Sequence, residues 1–334
     1  MATGRRSEPL GLYHRRRRGA VSKHTDGVGG SFSAPGPLGV PGASGGPRLT
    51  RLAQASPHHV ASPLSAAYAK VDSFAGGSGG GVFKNISRAR VASGLRQRLA
   101  DPNGIYQGPS SLCGPSVVVR AIAATDPLGY VTFVTSVYET GHGQIHDLKV
   151  NAGEDLRNYD PGTAFDPVPR EEGSTFEPAD WIAIASLRDS ENWFWDYQNP
   201  NNMVGGITMP ASLDKWFKQV GFHEVIDDTN VVFTKGEDNL RRASELWSKD
   251  YWVCLFVNDD MVSQDIKDVR SRSLSPSHWI GLTSAITIAA DKSSVSFTVF
   301  TWGKGNQSVP YNPTDTLSLA DLLHNYYGYV ATRR

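Results

Sequence analysis

The chain has 334 residues and a mass of 36.2 kDa, and its 33 basic and 33 acidic side chains give a formal charge of zero. This balance argues against a dedicated binder of nucleic acid or of a membrane surface. Two cysteines are too few for a disulfide scaffold or a cysteine-based zinc site, and no apolar stretch is long enough for a transmembrane helix.

The N-terminal part of the chain differs from the rest in composition. Residues 1–80 carry a net charge of +7 and hold 15 of the 34 glycines and 7 of the 20 prolines. We predict that residues 1–84 form a disordered Gly/Pro/Ser/Arg-rich leader, because such a segment has too little apolar surface to offset the entropy of ordering it. A solvated tail, a targeting segment, and contact of the four arginines at 15–18 with nucleic acid are the alternative roles.

From about residue 85 the sequence pattern is that of a globular domain, with helices first and strands afterwards. Capping and periodicity predict helices over 113–124, from Pro127 to Gly141, over 178–187, from Ser212 to Gly221, and over 237–249. Strands are predicted at 251–257, 278–289 and 295–302 with a hairpin turn at 291–294, then a short helix near 318–325 and a last strand at 326–330. This order predicts one α+β domain over residues 85–334.

Cys113 lies at the predicted start of the first of these helices. Gly114 and Pro115 belong in its first turn, where the missing N–H of proline costs nothing. A thiol at a helix N-terminus meets unpaired N–H groups and the positive end of the helix dipole, which favour a thiolate. The sequence therefore offers Cys113 as a candidate nucleophile, with a plain buried core cysteine as the alternative.

A cysteine nucleophile needs a partner that takes and returns a proton, and histidine is the side chain suited to this role. His278 is the best placed histidine, because it heads a predicted strand and a rigid sheet can fix its ring. The other histidines after the cysteine are interpreted as surface-loop or helix-end residues: His142, His146, His223 and His324.

Gln107 stands six positions before the cysteine and is followed by Gly108. Its side-chain amide can donate a hydrogen bond to an oxyanion, together with the backbone N–H of Cys113. An ordinary loop side chain is the alternative interpretation.

These motifs together resemble the papain-like cysteine peptidase superfamily. The resemblance rests on four short motifs in order, Gln107-Gly108, Cys113, His278-Trp279 and Trp302-Gly303. It implies that Cys113 is the nucleophile, that His278 is the base, and that Gln107 stabilises the oxyanion. It also implies a fold in which a helical half packs against an antiparallel β-sheet half, with the active site between them.

One position departs from the family pattern. Phe300 stands where the family has the asparagine that orients the histidine. The orienting group is then Thr301, Thr298 or a residue from elsewhere in the chain, or the site works as a dyad. We assign Thr301 to this orienting role.

The resemblance implies a cysteine-nucleophile hydrolase, a peptidase or amidase that cleaves amide bonds in a protein or peptide. The wider sequence is similar to papain-like domains of bacterial secreted effectors, which implies a protein secreted into a host or target cell; a cytoplasmic protein is the alternative. A papain-fold transglutaminase or deamidase and a catalytically inactive binding module are the alternative functions. We expect a monomer with no cofactor, no metal, no nucleic acid and no membrane partner.

Overall fold

The structure is a computed structural model that describes residues 64–107, 112–159, 178–190, 207–271 and 275–334. Its helices are α1 (Leu64–Ala75), α2 (Arg88–Ala100), α3 (Cys113–Thr125), α4 (Pro127–Thr140), α5 (Glu154–Asn158), α6 (Pro178–Asp189), α7 (Pro210–Gln219), α8 (Glu237–Ser248), α9 (Ile266–Arg270) and α10 (Leu319–Leu323). Short 3-10 turns occur at Pro102–Gly104 and Asp259–Val262.

Two antiparallel sheets accompany these helices. A small hairpin pairs β1 (His142–Ile145) with β2 (Leu148–Asn151). The large sheet contains β3 (Glu224–Thr229), β4 (Trp252–Val257), β5 (His278–Leu282), β6 (Thr287–Ile288), β7 (Val295–Thr301), β8 (Lys304–Val309) and β9 (Tyr326–Arg333). Its strand order is β3-β9-β4-β5-β7-β6, and β8 also pairs with β7. The predicted α+β class, with a helical half against an antiparallel sheet, is confirmed.

The boundary between α3 and α4 follows from local chemistry. Asp126 ends α3, and its side chain accepts a hydrogen bond from the backbone N–H of Gly129 in the first turn of α4. Pro127 occupies the first position of α4, where its missing N–H is tolerated. Gly141 ends α4 with a positive φ of 78°, a conformation that favours glycine. The predicted bounds of these two helices are confirmed to within one residue.

The large sheet has a hydrophobic core on each of its faces. Successive side chains of a strand point to opposite faces, so Phe256 and Trp279 pack with the helical half while Leu255 and Ile280 pack on the other side with α8. The register of β4 and β5 places Phe256 opposite Trp279, and their rings are stacked with centroids 4.4 Å apart. The sheet is thus covered on both faces, which fits its nearly uniform burial at β4, β5 and β9.

The predicted end of the leader at residue 84 is wrong. Helix α1 already begins at Leu64, and Ala67, Val71 and Phe74 are buried in the same core as α3. The composition of residues 1–80 is dominated by glycine and other small residues, so it does not reveal the apolar spacing of this single helix. Composition alone therefore placed α1 in the leader. Residues 1–63 of the predicted leader lie outside the described residues.

Several predicted elements have different bounds, among them the last strand, which was predicted over 326–330 and extends to Arg333. The strand predicted over 278–289 is divided into β5 and β6, and between them Thr283 and Ser284 bond to the neighbouring strand through their side chains. The helix predicted from Ser212 begins instead at Pro210, because proline suits the first helical turn. None of the described helices is long and apolar enough to cross a membrane.

Candidate active site at the start of helix α3

Cys113 is the first residue of α3 and is buried, with 2 % of its surface exposed. The residue before it, Leu112, provides no side-chain cap, so the first N–H groups of the helix have no side-chain acceptor at that position. Burial raises the pKa of the Cys113 thiol to about 11, while the backbone N–H groups of Trp279, Gly114 and Cys113 act to lower it. At neutral pH the resting sulfur is therefore a thiol surrounded by donors that would favour its anion.

His278 begins β5 and is also buried. Its Nε2 lies 2.8 Å from Thr301 Oγ1, and its ring is stacked on the indole of Trp302 with centroids 4.8 Å apart. Burial lowers the pKa of His278 to about 4, against a small opposing effect of Asp259. The ring is thus neutral at pH 7, lies nearly parallel to the indole and is oriented through one nitrogen.

The turn that carries Trp302 has an uncommon backbone. Trp302 and Gly303 link β7 to β8 and have φ angles of 42° and 72°. Two-residue turns with positive φ at both positions favour Asn-Gly, and a bulky residue at the first position costs on the order of 1–3 kcal/mol. With this backbone conformation, the Trp302 indole stacks on the His278 ring. Strained backbone positions of this kind cluster at functional sites.

The Cys113 thiol and the His278 imidazole both lie at the start of β5. The sulfur lies near the backbone N–H of Trp279, the residue directly after His278. Because side chains alternate along a strand, the Trp279 ring faces the helical core while Val257, the register partner of His278, belongs to the opposite core. Among the described residues no hydrogen bond joins the thiol to the imidazole, whose partner is Thr301.

Gln107 is buried, with 4 % of its surface exposed, and it belongs to the segment that leads towards α3. The N–H of the preceding Tyr106 donates to the carboxylate of Asp180 over 2.9 Å. A Cβ atom built on Gly303 would lie 3.1 Å from Tyr106 Cβ, so this segment packs against the turn that carries Trp302. The structure therefore brings the Gln107 segment to the same region as His278 and Thr301.

The other candidate residues lie elsewhere. Phe300 is buried below the Arg120 guanidinium, 5.0 Å from its ring centroid, in the core of the helical half. Thr298 bonds to Thr283 through its hydroxyl over 2.9 Å and does not reach His278. The remaining histidines are exposed, as their interpretation as surface residues requires: His142, His146, His223 and His324. Among the described residues, no group of three or more His, Cys, Asp or Glu side chains is arranged to hold a metal ion.

Two contacts of the site had no signal in the sequence. Thr208 lies against the start of α3, and its carbonyl accepts the indole N–H of Trp279 over 2.8 Å. The charge of Arg188, on α6, acts to lower the pKa of the Cys113 thiol. Neither residue belongs to a motif with the cysteine, because both come from distant parts of the chain and only tertiary packing brings them there.

Comparison of the chain with models of protein families, with curated proteins and with solved structures found no match. The residues of the site and their geometry are therefore what supports a function.

Proposed function

We propose that the protein is a papain-like cysteine hydrolase that cleaves amide bonds. The observation that carries the proposal is the group formed by His278, Thr301 and Trp302 at the start of β5, next to the residue whose N–H meets the Cys113 sulfur. An imidazole fixed by a hydroxyl and an indole, close to a cysteine at a helix N-terminus, is the arrangement that nucleophilic catalysis requires.

The roles of the residues follow from their positions. The Cys113 sulfur attacks the amide carbonyl carbon, and its proton passes to the imidazole of His278. A proton held on Nε2 and donated to Thr301 Oγ1 leaves Nδ1 free to accept this proton, a tautomer assigned from the hydrogen bond. The backbone N–H of Cys113 and the amide of Gln107 donate to the oxygen that becomes negative.

The reaction then proceeds in two balanced halves. The C–N bond breaks, the amine leaves with the proton from His278, and the acyl group stays on the sulfur as a thioester. Water attacks the thioester and gives one proton to His278, the C–S bond breaks, and His278 returns this proton to the leaving sulfur, so that the acid is released and the thiol is restored. No oxidant, metal or cofactor is needed for either half.

The ionisation of the resting site sets how the first step begins. A thiol with a pKa of about 11 and an imidazole with a pKa of about 4 are both neutral at pH 7. The attack therefore starts from a neutral pair, in which proton transfer accompanies bond formation. Because both groups are buried, substrate binding must open the start of β5 and bring the sulfur and the imidazole into contact.

Within this proposal the substrate is a protein or peptide, and the protein is a monomer secreted into a host or target cell. These statements rest on the resemblance of the four motifs and on the basic N-terminal segment. A transglutaminase or a deamidase would use the same thioester intermediate with a different acceptor.

A library of fluorogenic peptide amides tests the proposal. The full chain is expected to release fluorophore, and Cys113→Ala is expected to abolish this release because it removes the nucleophile. Cys254→Ala is the matched control, since Cys254 is the second buried free cysteine and lies on β4. Hydrolysis that persists in Cys113→Ala would contradict the proposal.

The burial of the site favours one second candidate, a papain-like binding module without catalysis. Cys113 and His278 expose only 2 % and 3 % of their surface, and the hydrogen-bond partner of the imidazole is Thr301. Such a module would bind its partner equally well as wild type and as Cys113→Ala. A pull-down from a candidate host-cell extract, followed by titration of the purified partner, would measure both affinities.

A further inference from the structure

Thr208 contacts two of the residues whose backbone N–H groups face the Cys113 sulfur. Its carbonyl accepts the indole N–H of Trp279 over 2.8 Å, which fixes the residue next to His278. On the other side, a Cβ atom built on Gly114 would overlap the Oγ1, Cβ and Cγ2 atoms of Thr208. Thr208 therefore fills the space between the first turn of α3 and the start of β5.

The hydroxyl of Thr208 has no hydrogen-bond partner among the described residues. Thr208 is fully buried, and its Oγ1 atom is one of the buried side-chain atoms that remain unpaired. An unsatisfied buried hydroxyl destabilises a fold, so the hydroxyl is not what holds Thr208 in place. Thr208 acts on its two neighbours in two ways. Its branched side chain packs against Gly114, and its carbonyl accepts a hydrogen bond from Trp279.

We propose that Thr208 is a positioning residue for Cys113, which by its shape holds the N–H groups of Gly114 and Trp279 towards the sulfur. The inference rests on the proposed function, because it gives Thr208 its role relative to the nucleophile. It also explains why residue 114 is glycine, since any larger side chain would push Thr208 away from α3.

The proposal predicts different effects on the reactivity of Cys113 for two substitutions of Thr208. Thr208→Val keeps the branched shape and the carbonyl and replaces the unpaired hydroxyl with a methyl group, so the reactivity of Cys113 is expected to stay within about twofold of the parent. Thr208→Ala removes the branch that packs on Gly114, so the N–H groups lose their orientation and the thiolate is less favoured. The alkylation of Cys113 is expected to slow by about threefold or more.

The test measures alkylation of Cys113 by iodoacetamide at pH 8.5 in full chains that carry Cys254→Ala, so that Cys113 is the one thiol left. A role limited to packing would change the rate in the other direction, because loosened packing opens the buried thiol to the reagent. The controls are Thr332→Ala and Thr332→Val, since Thr332 is also fully buried with an unpaired hydroxyl but lies on β9. Both are expected to alkylate like the parent.

Three results would overturn the proposal. Alkylation of Thr208→Ala at the parent rate or faster means that Thr208 does not orient the donors. A Thr208→Val variant as slow as Thr208→Ala means that the hydroxyl, and not the shape, is what matters. An equal effect of Thr332→Ala means that any loss of core packing slows the reaction. Because alkylation needs no substrate, these outcomes are separate from a failure of amide hydrolysis in the wild-type chain.

Discussion

At the scale of single residues, the bond between His278 and Thr301 is the contact most closely tied to the proposed chemistry. It occupies one ring nitrogen, while stacking on Trp302 fixes the plane of the ring. The sequence could suggest Thr301 only as one of several orienting groups, because Phe300 stands at the family's asparagine position. The structure places the threonine hydroxyl at the ring; its role in catalysis stays a prediction.

Thr301→Val is expected to lower amide hydrolysis by about tenfold or more, because the imidazole loses the group that fixes its tautomer and orientation. The unfolding free energy should fall by only about 1 kcal/mol, the usual net value of one hydrogen bond. Thr298→Val, three residues earlier on β7, breaks the bond to Thr283 and is the control. If both variants lose activity equally, the hydroxyl of Thr301 has no special role.

The low pKa of His278 makes the stability of the protein depend on pH. Burial lowers this pKa from 6.5 in the unfolded chain to about 4 in the folded one, so below pH 6.5 the unfolded state binds the proton more tightly. The stabilising contribution is complete above pH 6.5 and is lost as the pH falls towards 4, by about 3 kcal/mol in total.

Urea unfolding of wild type and His278→Gln between pH 4 and 7 measures this contribution. The variant lacks the buried imidazole, so its unfolding free energy should decline less steeply over that interval. His142→Gln, which removes an exposed ring on β1, is the control. Parallel curves for wild type and His278→Gln would mean that the ring is not held neutral by burial.

At the scale of secondary structure elements, a buried ion pair fixes the segment that carries Gln107. Arg98 of α2 donates three hydrogen bonds to the carboxylate of Asp180 of α6, with the shortest at 2.7 Å, and the N–H of Tyr106 donates to the same carboxylate. The side chains of Arg98 and Asp180 expose 6 % and 0 % of their surface. No sequence pattern announces this pair, because its members are 82 residues apart.

Asp180→Asn is expected to lower the unfolding free energy by about 3 kcal/mol or more, because it removes the carboxylate charge that pairs with the buried Arg98 guanidinium. Urea unfolding measures the loss. Asp72→Asn is the matched control: its partner Arg96 is also on α2, but this pair is exposed and should contribute little. Equal losses in the two variants would show that Asp180 acts only as a surface charge.

The elements predicted correctly from the sequence are those with strong local signals. Helices α3 and α4 have a proline at the start or a glycine at the end, and β4 is a short apolar run. Such local signals do not predict which strands pair with each other. The last strand, β9, was predicted without an assigned neighbour, and it lies inside the sheet between β3 and β4. Neighbours in a sheet are set by packing over the whole chain, which a single sequence does not display.

At the scale of the whole molecule, the net charge of zero averages two unlike parts. The basic segment at residues 1–80 was predicted to lie outside the fold, but α1 shows that its last part belongs to the core of the helical half. The resemblance to papain-like enzymes and the proposal of export both remain proposals. The structure adds a boundary at which truncations can be designed, the start of α1 at Leu64.

Two truncations separate the leader from the folded part. Deletion of residues 2–50 is expected to leave the urea unfolding curve and amide hydrolysis unchanged while abolishing export into a host cell. Deletion of residues 2–84 removes α1 and exposes the apolar surface that Val71 and Phe74 cover, so it should destabilise the fold by several kcal/mol, at about 1.5–3 kcal/mol for each such side chain. Normal export of the shorter deletion would contradict the role of the leader, and normal stability of the longer one would contradict the packing of α1.

The central claim, that Cys113 and His278 act together on amide bonds, is tested most directly by labelling the native chain with a peptidyl electrophile and locating the label by mass spectrometry. The account predicts that Cys113 is labelled while the equally buried Cys254 is not, and that His278→Ala slows labelling about a hundredfold at pH 7. Equal labelling of both cysteines, or an unchanged rate in His278→Ala, would contradict it.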